Sequence, residues 1–331
     1  MDIRNIRELK QTAFRRLDEA RDGKKILLTY SLISILSALL VTVINYCLNI
    51  QVNQLGGLGN MGTRSILTSI SSFLPIVLNL ALMCLELGFL AAMIRIGRGM
   101  YTSVQTLRAG MPRFWAMLRA DLLIYAVILA LSVAAFYLAT IIFALLPVSN
   151  KVMELMLPLL TAADPTTAIL EAGVEAQMLE AVTPLLVIFG ITALIIVLPA
   201  TYQYRMVHYV LMHDPRAGAR RALRESKKMM RRNRLALFKI DLSLWWFYVV
   251  SLLSTAVCYG DELLAMVGID VNLPEWAAYF LFYVLFLAIT FASNMLLKGK
   301  VGVVYAMFFD AVRPKEEENT GSVVLGNIFQ M

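Results

Sequence analysis

The chain has 331 residues, of which 59% are hydrophobic and 16% charged, with a mean hydropathy of +0.71 and a formal net charge of +7. Soluble domains carry about 25% charged residues, so this composition excludes an ordinary water-soluble fold. The apolar residues fall in blocks of roughly twenty or more, which read as one membrane unit.

In chain order, the first predicted element is an amphipathic helix within residues 1–25. Ile3, Ile6, Leu9, Ala13, Leu17 and Ala20 recur at helical spacing, with Arg7, Lys10, Arg15 and Arg16 set apart, a pattern that suits the inner leaflet of a membrane. Ile26 to Ile50 carries no charge and, at 1.5 Å per residue, exceeds a hydrocarbon core of ~30 Å. It is longer than a signal-peptide core and no small-x-small site follows it, so it is expected to remain as an anchor. Gly57, Gly59 and Gly62 formally spell G-x-G-x-x-G, but they follow a span rather than a strand and read as a flexible loop.

The second span is Phe73 to Ile94, containing Glu86, and the third is the uncharged Leu122 to Leu146. Between them Met111, Pro112, Phe114 and Trp115 punctuate a basic stretch, which predicts a second interfacial helix. The connection from Pro147 to Ala181 holds Met153, Leu155, Met156, Leu157, Leu159 and Leu160, broken by Pro158, an outer interfacial helix or partner surface. The fourth span, Val182 to Tyr202, contains Pro184 and Pro199, with a kink expected at the latter. The fifth, Leu242 to Val257, reaches spanning length only by starting near Leu237 and taking in Lys239 and Asp241. Those two are expected to make separate contacts at the inner interface. The sixth, Trp276 to Leu297, ends in Ser293 and Asn294 and is followed by Lys298 and Lys300.

Lys and Arg resist translocation, and 28 of the 30 lie before the first span, in the second and fourth connections, or after the sixth span. The opposite face keeps Arg64 and Lys151 together with nine acids in the third and fifth connections. The expected arrangement is therefore all-α: a polytopic bundle of six transmembrane helices over residues 26–312. Cytoplasmic interfacial amphipathic helices and a cytoplasmic tail at 313–331 complete it, with both termini inside. Nucleic acid is not expected as a partner, because the basic stretches abut apolar spans and lack interleaved aromatic platforms.

A third amphipathic helix is predicted after Asp214, which is placed to cap it, and Pro215, which suits a first helical position. Ala219, Ala222, Leu223, Ser226, Met229 and Met230 fall on one face. Arg220, Arg221, Arg224, Lys227, Lys228, Arg231, Arg232 and Arg234 form a candidate face for anionic lipid or a partner. Ordinary topology determination is the favoured reading of that row, ahead of specific lipid recognition, because every cytoplasmic loop is under the same charge bias.

Glu86 is the ionisable residue set well inside a span, with Asn79, Asn294 and Ser293 as candidate polar neighbours. It reads either as a packing contact or as part of a transport route. His208 and His213 are five apart and do not share a helix face as a metal pair would; no metal or other cofactor is expected. Cys47, Cys84 and Cys258 lack C-x-x-C spacing and read as small apolar residues, although an external disulfide between Cys47 and Cys258 is geometrically conceivable.

The stretch from Thr201 to Trp246, with the opening Arg7 to Leu17, resembles the bacterial integral membrane family catalogued as domain of unknown function 975. At Arg232 many relatives are expected to carry glycine, which suggests continued helix here in place of a tight turn. The resemblance implies a multi-span protein of a bacterial cytoplasmic membrane with no established activity. From the residues themselves, the expectation is a non-catalytic scaffold or partner-binding component in contact with anionic inner-leaflet lipid and a membrane-protein partner. The alternative is a small-solute or lipid transporter using Glu86.

Overall fold

The computed structural model describes residues 5–54, 61–150, 152, 154, 174–214, 216–260, 263–264 and 274–313, and no strand occurs among them. The connection containing Leu155 to Leu160, the loop glycines Gly57 and Gly59, Pro215 and residues 314–331 lie outside the described residues. The chain forms two compact units, Met1–Met117 with Met206–Met331, and Leu118–Arg205.

In the first unit α1 spans Ile6–Glu19, α2 Gly23–Gln54 and α3 Met61–Gly97, followed by a 3-10 helix at Val104–Arg113 and the first turn of α4, Phe114–Ala144. The second unit holds the rest of α4 and α5, Val174–Tyr204, which runs through Pro184 and Pro199. Here Phe136 meets Phe189 edge to face at 5.7 Å, and the Thr192 hydroxyl donates to the Ala135 carbonyl at 3.3 Å. Fully buried Ala135 and Ala139 allow that close approach, as small residues do between membrane helices.

The chain then returns to the first unit with α6 (Val207–His213), α7 (Ala219–Met230), α8 (Arg234–Ser243), α9 (Trp245–Cys258) and α10 (Glu275–Ser293). A π-helical turn at Asn294–Lys298 leads into α11, Gly299–Val312.

Among the described residues, five helical runs are long and apolar enough to cross a membrane: Gly23–Val52, Gly62–Gly97, Val104–Ala144, Val182–His213 and Ala277–Val312. The pair α8 and α9, bent by 63°, makes a sixth if counted as one span. Between 6% and 33% of the residues in the apolar windows are buried in the protein. Helical surface so apolar and so exposed requires lipid as its solvent, and the protein is a multi-pass membrane protein.

The dense core of the first unit is elsewhere. It joins Leu87 to Ile96 of α3, Val301 to Phe309 of α11, Leu9 and Ala13 of α1, and nearly all of α6. From Val303 to Phe309, α11 is buried at every position and therefore on every side. The stripe of α1 is spent on this protein interior instead of on a leaflet: Leu9 and Ala13 are fully buried and α1 packs on α11 and α3. Its start is secured by Asn5, whose side chain accepts from the Glu8 N–H at 3.3 Å and donates to the Glu8 carboxylate at 3.1 Å.

The 3-10 helix lies backbone against backbone on α3. A Cβ at Gly88 would stand 1.8 Å from the Leu107 carbonyl oxygen, and one at Gly110 would stand 2.1 Å from the Cys84 carbonyl oxygen. The second interfacial element is thus docked on protein through Leu107 and Gly110, leaving Met111 and Trp115 exposed.

Three local expectations are corrected. Gly218, not Asp214, occupies the N-cap of α7, while Asp214 closes α6 and its carboxylate accepts from the Arg216 N–H at 2.8 Å. Arg232 sits in a turn between α7 and α8 and does not continue a helix. The turn has no positive φ to demand glycine, and Asn233 closes it by donating to the Met229 carbonyl at 2.8 Å. The fifth apolar segment does not run straight through Lys239 and Asp241 but bends at Leu244, where the Ser243 hydroxyl bonds back to the Ile240 carbonyl at 2.7 Å.

Candidate functional site

The cations of the first unit divide by the direction they face. Several are turned inward onto helix C-termini, where unpaired carbonyls and the negative end of the helix dipole favour positive charge. Arg16 donates to the Gly97 carbonyl at the end of α3. Arg113 donates to the carbonyls of Leu211 and, at 2.9 Å, Asp214 at the end of α6. Lys10 donates to the Ser243 carbonyl at 2.9 Å, at the end of α8. Beside Lys10 and Ser243 lies a cavity of about 300 Å³ that also touches Ile6, Arg7, Gln11 and Phe14.

The row on α7 faces the other way. Arg220, Arg221, Arg224, Lys227, Lys228, Arg231 and Arg232 are exposed and Arg234 is half-buried, whereas Ala219, Ala222, Ser226 and Met230 are buried. The predicted division of faces is therefore present. Within the row, Arg221 is held by Glu225 at 2.6 Å and by Asp214 at 3.6 Å.

Where α3, α6 and α11 meet, a polar knot forms that the sequence reading did not assemble. Arg98, just past α3, clasps Asp310 of α11 with two parallel bonds of 2.8 and 2.6 Å, the strong bidentate form of a guanidinium–carboxylate pair. Its Nη2 also lies 3.3 Å from His213 Nδ1, and Arg313 Nη1 approaches the same nitrogen at 3.2 Å. Arg313 Nη1 also meets Nε2 of this buried ring, and because a guanidinium only donates, it is the unprotonated ring nitrogen that accepts. Phe309 holds the ring from the side, edge to face at 6.0 Å. The available signal was Asp310 itself, a lone carboxylate in the apolar run from Val301 to Val312.

Glu86 has other neighbours than those expected. Its carboxylate accepts from the Tyr30 hydroxyl at 3.4 Å and stands 3.5 Å from Lys298 Nζ. Lys298 also donates to the Tyr30 hydroxyl and lies over the Tyr30 ring, 4.5 Å from its centroid. Asn79 is exposed; Asn294 and Ser293 are buried; none of the three bonds to Glu86 among the described residues. The π turn brings Lys298 onto this neighbour pair, and its own first residue is Asn294.

Asp241 bonds to the Tyr305 hydroxyl, which pairs with the Tyr248 hydroxyl at 2.8 Å, while Lys239 is exposed. The two charges of the fifth segment thus face different surroundings. No disulfide joins Cys47, Cys84 or Cys258, so the conceivable Cys47–Cys258 bridge is not formed. No cluster of metal-ligating side chains occurs among the described residues.

Comparison with known proteins places the chain in one family. The model of the family described as protein of unknown function (DUF975) matches residues 1–313. No curated protein and no solved structure matches the chain.

Proposed function

Because the chain belongs to the DUF975 family, whose description names no activity, we propose from its own residues that it is a non-catalytic scaffold of a bacterial cytoplasmic membrane. In this reading both termini are cytoplasmic, the exposed cations of α7 lie on the anionic inner leaflet, and the same face receives an acidic membrane-protein partner. The supporting observation is the division of α7 into a buried small-residue face and an exposed cationic one. Each cation near such a leaflet contributes about 1 kcal/mol.

The test is gentle detergent extraction from the native membrane, followed by native mass spectrometry of what remains bound. The wild-type chain is expected to retain a protein partner or anionic lipid in stoichiometric amount. A variant with Arg220, Arg224, Lys227 and Arg231 all changed to Gln is expected to lose it while melting at the same temperature. An unchanged set of retained molecules overturns the reading.

A transport role is favoured by one other observation, the Glu86–Tyr30–Lys298 cluster within apolar helices. Glu86 falls within the span Gly62–Gly97, and ionisable residues inside spans commonly mark solute or proton routes. Glu86→Gln leaving flux in proteoliposomes unchanged would sink it.

A further inference from the structure

The knot around His213 borders a cavity of about 60 Å³, lined among others by His213, Asp214, Glu225, Lys228, Phe309 and Arg313. Its carboxylates are already engaged. Asp310, behind the ring, gives both oxygens to Arg98. Glu225 and Asp214 both turn to Arg221, and Asp214 also accepts the Arg216 N–H.

Two cations on the lining have no such partner. Arg313 touches His213, and neither Arg313 nor Lys228 pairs with a carboxylate among the described residues. Around the knot four cations, Arg98, Arg221, Lys228 and Arg313, therefore face three carboxylates, and the surplus positive charge lies at the cavity. The Arg98–Asp310 clasp and Phe309 fix the far side of the His213 ring, so the surface on which Arg313 rests is set before anything binds.

We propose that this cavity binds a single phosphate group, with Arg313 and Lys228 as its charged donors. A guanidinium supplies directed donors to a tetrahedral oxyanion and an ammonium supplies a point charge, the usual division of labour at such sites. An ordered water needs roughly 15 Å³ of such space, so the cavity has the room of about four waters. That volume suits one phosphate group, the rest of any ligand lying outside the cavity mouth. The phosphate belongs either to a lipid headgroup or to a free ion, and the chemistry of recognition is the same for both. This inference does not depend on the partner-binding role of α7, since Lys228 is not among the four residues changed in that test.

Titration calorimetry of the full chain in neutral detergent, at fixed ionic strength, distinguishes the outcomes. The probes are inorganic phosphate and dihexanoylphosphatidic acid, with dihexanoylphosphatidylcholine as the comparison lipid. Binding of at least one of the first two is expected, weakened tenfold or more by Lys228→Gln and by Arg313→Gln but not by Arg15→Gln on α1. Phosphatidic acid alone identifies a lipid headgroup, and inorganic phosphate a soluble ligand. Lys228 is exposed and bonded to nothing among the described residues, so Lys228→Gln remains informative even where Arg313→Gln fails to fold. Binding of neither probe, or an affinity that Lys228→Gln leaves unchanged, overturns the proposal.

Discussion

At single positions the most constrained residues are Gly88 and Gly110, because the atom a substitution would add is already occupied by backbone. Backbone cannot step aside as a flexible side chain can, so Gly88→Ala or Gly110→Ala is expected to lose about 3 kcal/mol or more. Gly190 in α5, where an added Cβ meets nothing within 4 Å, is the control: its change to Ala should be neutral or gain roughly 0.5–1 kcal/mol. Melting in detergent separates the two cases. The Arg98–Asp310 pair is part-buried, so its coupling falls below that of a fully buried pair. A double-mutant cycle with Arg98→Gln and Asp310→Asn should return about 1–3 kcal/mol. Asp22, ahead of α2, is held below the usual carboxylate range, first by its bond with Lys25 and further by that with Tyr101. A depressed folded value means a contribution present above the unfolded pKa of 3.8 and lost as pH falls through the folded one. The stability difference between wild type and Asp22→Asn should therefore be steady at pH 5 to 7 and vanish on acidification below 3.8. A difference that persists at pH 2 would refute that assignment.

For the helices, legibility followed the strength of the constraint. A bilayer demands long charge-free runs, so α2, α3, α4, α5 and α10 announce themselves in composition, and the face of α7 follows from spacing alone. What spacing does not carry is the distant partner. Arg16 reaches a carbonyl 81 positions away, Arg113 one 101 away, and Lys10 one 233 away. Each of these cations reads in sequence like any other charge beside a membrane, and only the fold turns it inward. The same holds for Glu86, whose partner Lys298 lies just beyond the sixth apolar run read from sequence and is carried alongside by the helix pairing. The inward and outward groups are separable by experiment. Arg16→Gln and Arg113→Gln should each cost about 1–2 kcal/mol through stranded carbonyls, while Arg224→Gln and Lys227→Gln stay within roughly 0.5 kcal/mol. Equal effects from both sets would contradict the division.

Over the whole chain the topology turns on a parity. Five crossings place the two termini on opposite sides of a membrane and six place them on the same side, and the difference rests on the bent pair α8 and α9. Charge placement favours six, since the segment before α2 and the residues after the sixth apolar run both belong to the basic set. Alkaline phosphatase fused after Val312 should be inactive, and the same reporter in the connection after α4 should be active. An active C-terminal fusion would make α8 and α9 a re-entrant hairpin. Composition established the membrane class, and the resemblance read at Arg7 to Leu17 and Thr201 to Trp246 established the family. The dense core of the first unit escaped both, because α11 continues directly from an apolar span and nothing in its hydropathy marks where lipid gives way to protein.

The π turn at Asn294–Lys298 has a consequence for the genetics of the last helix. A π turn is an α-helix with one residue too many, so α10 and α11 are joined by a spare position, while each residue elsewhere sets the rotation of all that follow by about 100°. Exposed Leu296 is that dispensable position. Deleting it should close the turn into ordinary helix and leave the buried faces on either side in phase, whereas deleting Met307 should rotate Phe308, Phe309 and Asp310 off their partners. Size-exclusion chromatography of the two deletion variants would show one folded chain and one aggregate.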